Sequence, residues 1–153
     1  MAAFLLESPR KLGDFVTQKT VGSANKPIEY TVETTKSFDA AVKAVEQAAT
    51  AHGFRVLHIH DVAATLAEKG YPRDPMKIIE ICNARFASEV LQKDIKTSLM
   101  LPCPITVYVD HGRTYMSTLL PEVIASFYPE AGVEALSAQV QRIVIAIVDD
   151  AKA

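Results

Sequence analysis

The chain has 153 residues, of which 49% are hydrophobic and 22% are charged, and its formal net charge is -2. This composition is typical of a globular protein with a substantial core and excludes wholesale disorder. Because the lysines and arginines are spread along the chain and not clustered on one segment, we expect neither nucleic acid nor a membrane surface as a partner.

The N-terminal sequence and the cysteine count indicate the compartment. Two cysteines are too few for a disulfide scaffold. The apolar stretch Met1–Leu6 is too short for a signal peptide. The longest apolar run, Ile143–Val148, is far shorter than a membrane span. We therefore expect a cytoplasmic protein that does not enter the membrane.

The first 27 residues differ from the rest of the chain. Pro9, Gly13 and Gly22 interrupt any regular pattern there. Regular hydrophobic spacing begins at Ile28. We predict an N-terminal extension over residues 1–27 and a single domain over residues 28–153.

Hydrophobic periodicity predicts alternating strands and helices after this point. Alternation of apolar and polar residues predicts a strand from Ile28 to Glu33, and a helix capped by Ser37 follows over residues 38–52. The remaining predicted elements are a strand over 54–60, a short helix capped by Asp61, a strand over 77–82, a helix over 84–92 capped by Asn83, strands over 105–110 and 113–119 joined at His111-Gly112, a helix over 121–127 and a helix over 133–149. This order implies a two-layer α+β or α/β sandwich.

Both cysteines lie at the borders of predicted strands. Cys82 ends one strand and precedes a helix, and Cys103 begins the next strand. A thiol at a helix N-terminus is expected to have a lowered pKa, which favours Cys82 as the more reactive residue. The two thiols would meet if the strand beginning at Cys103 ran antiparallel to the strand ending at Cys82.

Two histidines lie on the preceding strand. Alternation places Val56, His58 and His60 on one face. The intervening helix favours parallel pairing with the strand that ends at Cys82, which would bring His60 to the same sheet edge.

Together these residues predict a site near the two cysteines. The predicted ligand-binding residues are Cys82, Asn83, Cys103, His58 and His60. Thiolates and an imidazole suit zinc or copper(I), so Cys82, Cys103 and His58 are the predicted metal ligands. A haem ligated by cysteine or histidine is another candidate cofactor, and a small ligand is a further candidate occupant.

Two other interpretations of these residues stay open. In the first, the chain is a thiol enzyme or redox protein in which Cys82 attacks and Cys103 resolves. In the second, the cysteines are small buried hydrophobes and the domain is structural, with no small-molecule site. No CxxC or HExxH motif decides between them, and Ser117 and Ser137 lack the GxSxG context of a hydrolase. The sequence motifs therefore leave open whether the protein is an enzyme.

Several short blocks resemble a known family. They are Ala51-His-Gly-Phe54, Val56-Leu-His-Ile-His-Asp61, Ile79-Glu-Ile-Cys-Asn83, Leu101-Pro-Cys103 and Gly112-x-Thr-Tyr115. In this order they resemble the domain-of-unknown-function family three-hundred-and-two, over roughly Ile28 to Ile147. The resemblance implies an α+β two-layer sandwich with a curved, mainly antiparallel sheet backed by helices, of the TATA-binding-protein-like class.

The resemblance also implies that the protein is a homodimer, and it supplies no accepted reaction. An antiparallel sheet would weaken the argument that joins His60 to Cys82 and strengthen the argument that joins Cys82 to Cys103. The favoured hypothesis is therefore a binding module for a metal ion, haem or small ligand near the two cysteines.

Overall fold

The computed structural model describes residues 20, 21 and 26–153. Two short antiparallel strands, β1 (Thr20–Val21) and β2 (Lys26–Pro27), pair with each other. The rest of the N-terminal extension that was predicted over residues 1–27 lies outside the described residues, so its role stays a prediction.

Five strands form one open antiparallel sheet in the order β3, β7, β6, β5, β4. Their bounds are β3 (Glu29–Thr34), β4 (Arg55–Asp61), β5 (Met76–Cys82), β6 (Cys103–Asp110) and β7 (Arg113–Leu119). Strands β3 and β4 are consecutive in the chain but form opposite edges of the sheet. The helix between them therefore crosses the sheet.

The helices are α1 (Phe38–Ala51), α2 (Val62–Ala67), α3 (Ala84–Lys93), α4 (Glu122–Phe127) and α5 (Glu134–Lys152). Two predicted caps are confirmed: Ser37 Oγ accepts from the Ala40 amide at 3.4 Å, and Asp61 Oδ1 accepts from the Ala64 amide at 2.9 Å. Within the described residues, no helix has the length and apolar character needed to cross a membrane.

The core lies between one face of the sheet and helices α1 and α5. Strand residues Ile79, Ile105 and Met116 have no exposed surface, and neither have Val45 of α1 and Val144 of α5. Alternate residues of β5 and β6 are buried on this side, namely Ile79, Ile81, Ile105 and Val107, as expected for a sheet with one buried face. The predicted fold, an antiparallel sheet backed by helices, is confirmed.

The last turn of α5 is attached to the edge strand β3. The Tyr30 hydroxyl donates to Asp149 Oδ1 at 2.7 Å, and Thr34 Oγ1 donates to the Lys152 carbonyl at 3.0 Å. These bonds join residues more than a hundred positions apart and fix the end of the helix against the sheet.

Strand β4 departs from the prediction in two ways. It pairs antiparallel with β5, so the parallel arrangement that would bring His60 to the Cys82 edge is wrong. A bulge between Val56 and His58 also breaks the expected alternation, because the extra residue, Leu57, shifts the pattern. Val56 packs against the core, whereas His58 pairs with Glu80 and does not share its face.

Two connections complete the sheet. The predicted turn between β6 and β7 is confirmed, with φ of 47° at His111 and 74° at Gly112. The link between α3 and β6 contains a 3-10 helix, Ile95–Met100, that was not predicted, followed by a cis Leu101–Pro102 peptide bond. This link turns the chain back, so β6 runs antiparallel to β5.

Candidate functional site

A cleft opens where β5 ends and β6 begins, between the end of the sheet and the helices. The volume of the cleft is about 420 Å³ when the open space at its mouth is included. Its enclosed part is narrow. The lining is mainly apolar and consists of Phe54, Cys82, Asn83, Phe86, Ala87, Val90, Leu101, Cys103, Pro121, Ile124, Leu136, Ser137 and Val140.

Strand pairing brings the two cysteines to this cleft. Cys103 is the partner of Ile81 across the β5–β6 ladder, so Cys82 lies one residue beyond that pair. Consecutive strand residues normally point to opposite faces. Here, however, both residues line the same cleft at the end of β5. Both thiols are free. The predicted approach of the two cysteines through an antiparallel fourth strand agrees with this arrangement.

Both thiols are held in the neutral form. Burial raises the pKa of the Cys82 thiol. Burial, and to a smaller extent the neighbouring Cys82, raise the pKa of Cys103 to about 11. The prediction of a lowered pKa for Cys82 is therefore wrong. Desolvation disfavours the thiolate, and the amides at the start of α3 bond to another side chain.

That side chain is Asn83, whose predicted role as the cap of α3 is confirmed. Its Oδ1 accepts from the Arg85 amide at 3.1 Å and from the Phe86 amide at 3.2 Å. Its Nδ2 donates to the Gly53 carbonyl at 2.9 Å, which joins α3 to the turn before β4. Asn83 thus lines the cleft with its polar atoms already bonded to the protein.

Ser137 contributes a polar atom to the cleft that was not among the predicted site residues. It is 3% exposed, and its Oγ has no hydrogen-bond partner in the described part of the chain. A buried hydroxyl without a partner costs about 1–3 kcal/mol, so such groups are rare. Periodicity could have located it, since Ser137 precedes Val140 and Val144 by three and seven positions on the buried face of α5.

The two histidines lie elsewhere. His58 and His60 pair with Glu80 and Ile78, on the sheet face opposite the core helices. His60 Nε2 lies 3.0 Å from Glu80 Oε1, and the two imidazole rings meet edge to face at 4.3 Å. Ile78 is four residues from Cys82, which corresponds to about 13 Å along the strand.

The predicted metal ligands therefore do not form one cluster. Cys82 and Cys103 share the cleft, whereas His58 is across the sheet from it. Among residues 20, 21 and 26–153, no three or more histidine, cysteine, aspartate or glutamate side chains are grouped so that they could hold a metal ion.

Comparison with known families and structures identifies the relatives of this chain. The family model described as "Domain of unknown function DUF302" matches residues 30–151. The chain belongs to the DUF302 family. The predicted resemblance is thus confirmed, and its extent agrees closely with the matched residues. No curated protein matches the chain.

A DUF302 protein of known structure has a similar fold. The crystal structure of an uncharacterized conserved DUF302 protein from Bacillus stearothermophilus superposes with a TM-score of 0.77 at 26% sequence identity. The match covers 81% of this chain and 98% of that chain. The cleft residues Cys82, Asn83, Cys103 and Ser137 all lie within the DUF302 match. The candidate site is therefore part of the DUF302 domain.

Proposed function

We propose that this DUF302 domain binds a small ligand with a largely apolar body in the cleft at the Cys82–Cys103 end of the sheet. One observation carries the proposal: one open cleft is lined by apolar side chains, two thiols with a raised pKa and a buried hydroxyl that bonds to none of the residues the structure describes. Binding sites of this kind are concave and mostly apolar, with a few polar groups that orient the ligand.

The size of the cleft and the side chains that line it favour a small molecule over a haem or a metal ion. The enclosed part of the cleft is narrow, and this size favours a small molecule over a haem macrocycle. A zinc or copper ion would find two thiols in the cleft, and each must lose a proton to bind it. Two thiols are fewer ligands than a zinc site uses, and no third histidine, cysteine, aspartate or glutamate among the described residues is grouped with them.

Titration with toluene, followed by amide chemical shifts of the cleft residues, tests the proposal. We expect toluene to shift the amides of the α3 residues Phe86 and Ala87. An Ala87→Leu substitution, which extends a side chain from the lining into the cleft, should abolish this response. The matched control is Ala84→Leu, on the exposed side of the same helix, which should bind toluene as the unmodified protein does.

Two results would count against the proposal. If toluene caused no shifts in the unmodified protein, the cleft would not be a site for apolar ligands. Equal responses in Ala87→Leu and Ala84→Leu would place the toluene outside the cleft.

A dithiol redox protein is the second candidate, favoured by the two thiols that line one cleft. Oxidation would form one sulfur–sulfur bond between Cys82 and Cys103, and the two electrons and two protons released would reduce hydrogen peroxide to water. Intact-mass measurement after peroxide treatment should then show the loss of two hydrogens, absent in Cys82→Ser and Cys103→Ser. Addition of oxygen, without loss of hydrogen, would exclude this candidate.

The cytoplasmic location, the single domain over residues 28–153 and the homodimer stay predictions. Light scattering on the purified protein measures the oligomeric state directly. A mass equal to one chain would contradict the predicted homodimer.

A further inference from the structure

Ser137 is the feature of the cleft that its apolar lining does not explain. Its hydroxyl can donate one hydrogen bond and accept others, yet within the described residues none is formed. Its backbone amide is already bonded to the Val133 carbonyl at 2.8 Å, as in any helix. The Ser137 side chain therefore brings to the lining a hydrogen-bonding group that no described residue uses.

The other polar side chains of the cleft differ from Ser137, because they are already hydrogen-bonded or form only weak hydrogen bonds. Asn83 uses Oδ1 to cap α3 and Nδ2 to hold the Gly53 carbonyl. Cys82 and Cys103 are thiols, which are weak donors and weak acceptors. Among the described residues that line the cleft, Ser137 has a strong hydrogen-bonding group that is buried and bonded to no other residue, so its hydroxyl can bond to a ligand without breaking an existing bond.

The cleft also discriminates against negative charge. Burial disfavours the thiolates of Cys82 and Cys103, and a ligand carboxylate at the same depth would experience the same loss of hydration. Within the described part of the chain, the lining contains no lysine, arginine or histidine that would compensate for this loss. Uncharged ligands are therefore favoured.

We propose that the cleft selects uncharged ligands that carry one hydrogen-bonding group on an apolar body, and that Ser137 determines this selectivity by bonding to that group. The inference rests on the proposed function, because it concerns the ligand of the same cleft. It adds the chemical class of the ligand and the residue that recognises it.

Three probes of similar shape test the inference. Toluene and phenol differ by a methyl in place of a hydroxyl, and benzoate carries a carboxylate on the same ring. The dissociation constants are measured at neutral pH from the amide shifts of the cleft residues. We expect phenol and toluene to bind and benzoate not to bind. The ratio of the toluene constant to the phenol constant should fall roughly tenfold in Ser137→Ala.

Thr97→Val is the matched control, since it removes another buried hydroxyl. Thr97 has no exposed surface, lies outside the cleft lining and donates to the Asp94 carbonyl at 2.7 Å. The toluene-to-phenol ratio should not change in this variant. Ser137→Thr, which keeps a hydroxyl at the position, should retain more of the preference than Ser137→Ala.

The outcomes separate this inference from the proposed function. If toluene and phenol both bind with a ratio that Ser137→Ala leaves unchanged, Ser137 does not recognise the ligand, although the cleft still binds apolar molecules. Benzoate binding as tightly as phenol would refute the selection against charge. If neither toluene nor phenol binds, the proposed function fails and the inference fails with it.

Discussion

The cleft and the histidine surface differ in how their polar groups are satisfied. On the histidine surface, His60 meets Glu80 at 3.0 Å, and both side chains keep contact with water, with exposed fractions of 47% and 30%. In the cleft, the Ser137 hydroxyl is buried and has no hydrogen-bond partner among the described residues, and both cysteine thiols have a raised pKa. The His60–Glu80 pair is thus bonded and hydrated, whereas the Ser137 hydroxyl in the cleft is neither exposed nor bonded to any described residue.

This difference indicates which region is arranged for a ligand. Exposed polar contacts between side chains form readily on surfaces and contribute little to stability, so the histidine surface needs no ligand to explain it. A buried hydroxyl without a partner lowers stability, and proteins retain such groups where they serve a purpose. The predictions below test whether the two regions differ in this way, beginning with the largest expected effect.

Replacing the aromatic wall of the cleft should cause the largest loss of stability. Phe86 is 8% exposed, its ring lies 6.3 Å from that of Phe54, and the Arg85 guanidinium stacks on it at 4.5 Å. We expect Phe86→Ala to lower the free energy of unfolding by about 3 kcal/mol, measured by urea denaturation. The control Phe127→Ala, at a residue that is 56% exposed, should change it by less than about 0.5 kcal/mol. Equal effects would mean that the wall is not part of the core.

The thiols should resist alkylation at neutral pH. In Cys103→Ser, the pH at which iodoacetamide reacts at half its maximal rate should lie above the ordinary thiol pKa, because burial raises the pKa of Cys82. In Cys82→Ser, the midpoint for Cys103 should be somewhat below 11 but still raised, since one of two causes is removed. A midpoint below the ordinary value for Cys82 would restore the hypothesis of a reactive thiol.

The same shift affects stability at alkaline pH. The folded protein holds the proton of Cys103 more tightly than the unfolded chain does. The contribution of the protonated Cys103 thiol to stability is therefore complete below the pKa of the unfolded chain, near 9.0. This contribution is lost as the pH rises towards the folded pKa of about 11. Over this pH interval, the melting temperature of Cys103→Ser should fall by less than that of the unmodified protein.

The two roles of Asn83 can be separated by two substitutions. Asn83→Ala removes both the cap of α3 and the bond to the Gly53 carbonyl, and should cost about 1–2 kcal/mol in chemical denaturation. Asn83→Asp keeps an oxygen to accept from the Arg85 and Phe86 amides but loses the donor to Gly53. We expect an intermediate loss for this variant. If it were as unstable as Asn83→Ala, the bond to Gly53 would be the dominant one.

The smallest effect is expected on the histidine surface. A double-mutant cycle with His60→Ala and Glu80→Ala should give a coupling energy of about 0.2–1 kcal/mol, which decreases as salt is added. A coupling well above this range would mean that the pair is a built site in its own right. The contrast with the cleft would then be lost.

Local sequence signals predicted most of the fold correctly. The caps Ser37, Asp61 and Asn83 depend on side-chain atoms within a few residues, and the positive φ at His111 and Gly112 depends on the turn alone. Features that depend on other strands were missed. The bulge in β4 is defined by pairing with β5, and no spacing within residues 54–60 reveals it.

The candidate site was predicted in part for the same reason. Cys82 and Cys103 stand at strand ends, so an antiparallel pairing was sufficient to bring them to one cleft. The raised pKa of Cys82 could not be predicted from its position before a helix, because it follows from tertiary burial. Ser137 belongs to no nucleophile motif, and its importance comes from a tertiary feature that the sequence does not show: its buried hydroxyl bonds to none of the described residues.

The bonds between the end of α5 and β3 have a consequence for biosynthesis. Strand β3 is the first strand of the sheet, yet it pairs with β7, and its residues Tyr30 and Thr34 bond to Asp149 and Lys152. A nascent chain therefore cannot complete the sheet and its helical layer until Lys152 has left the ribosome. Contacts over such long separations slow folding. We infer that the domain completes its fold only after all of it has been synthesised. Until that point, the apolar strands β5 and β6 are exposed and prone to aggregation.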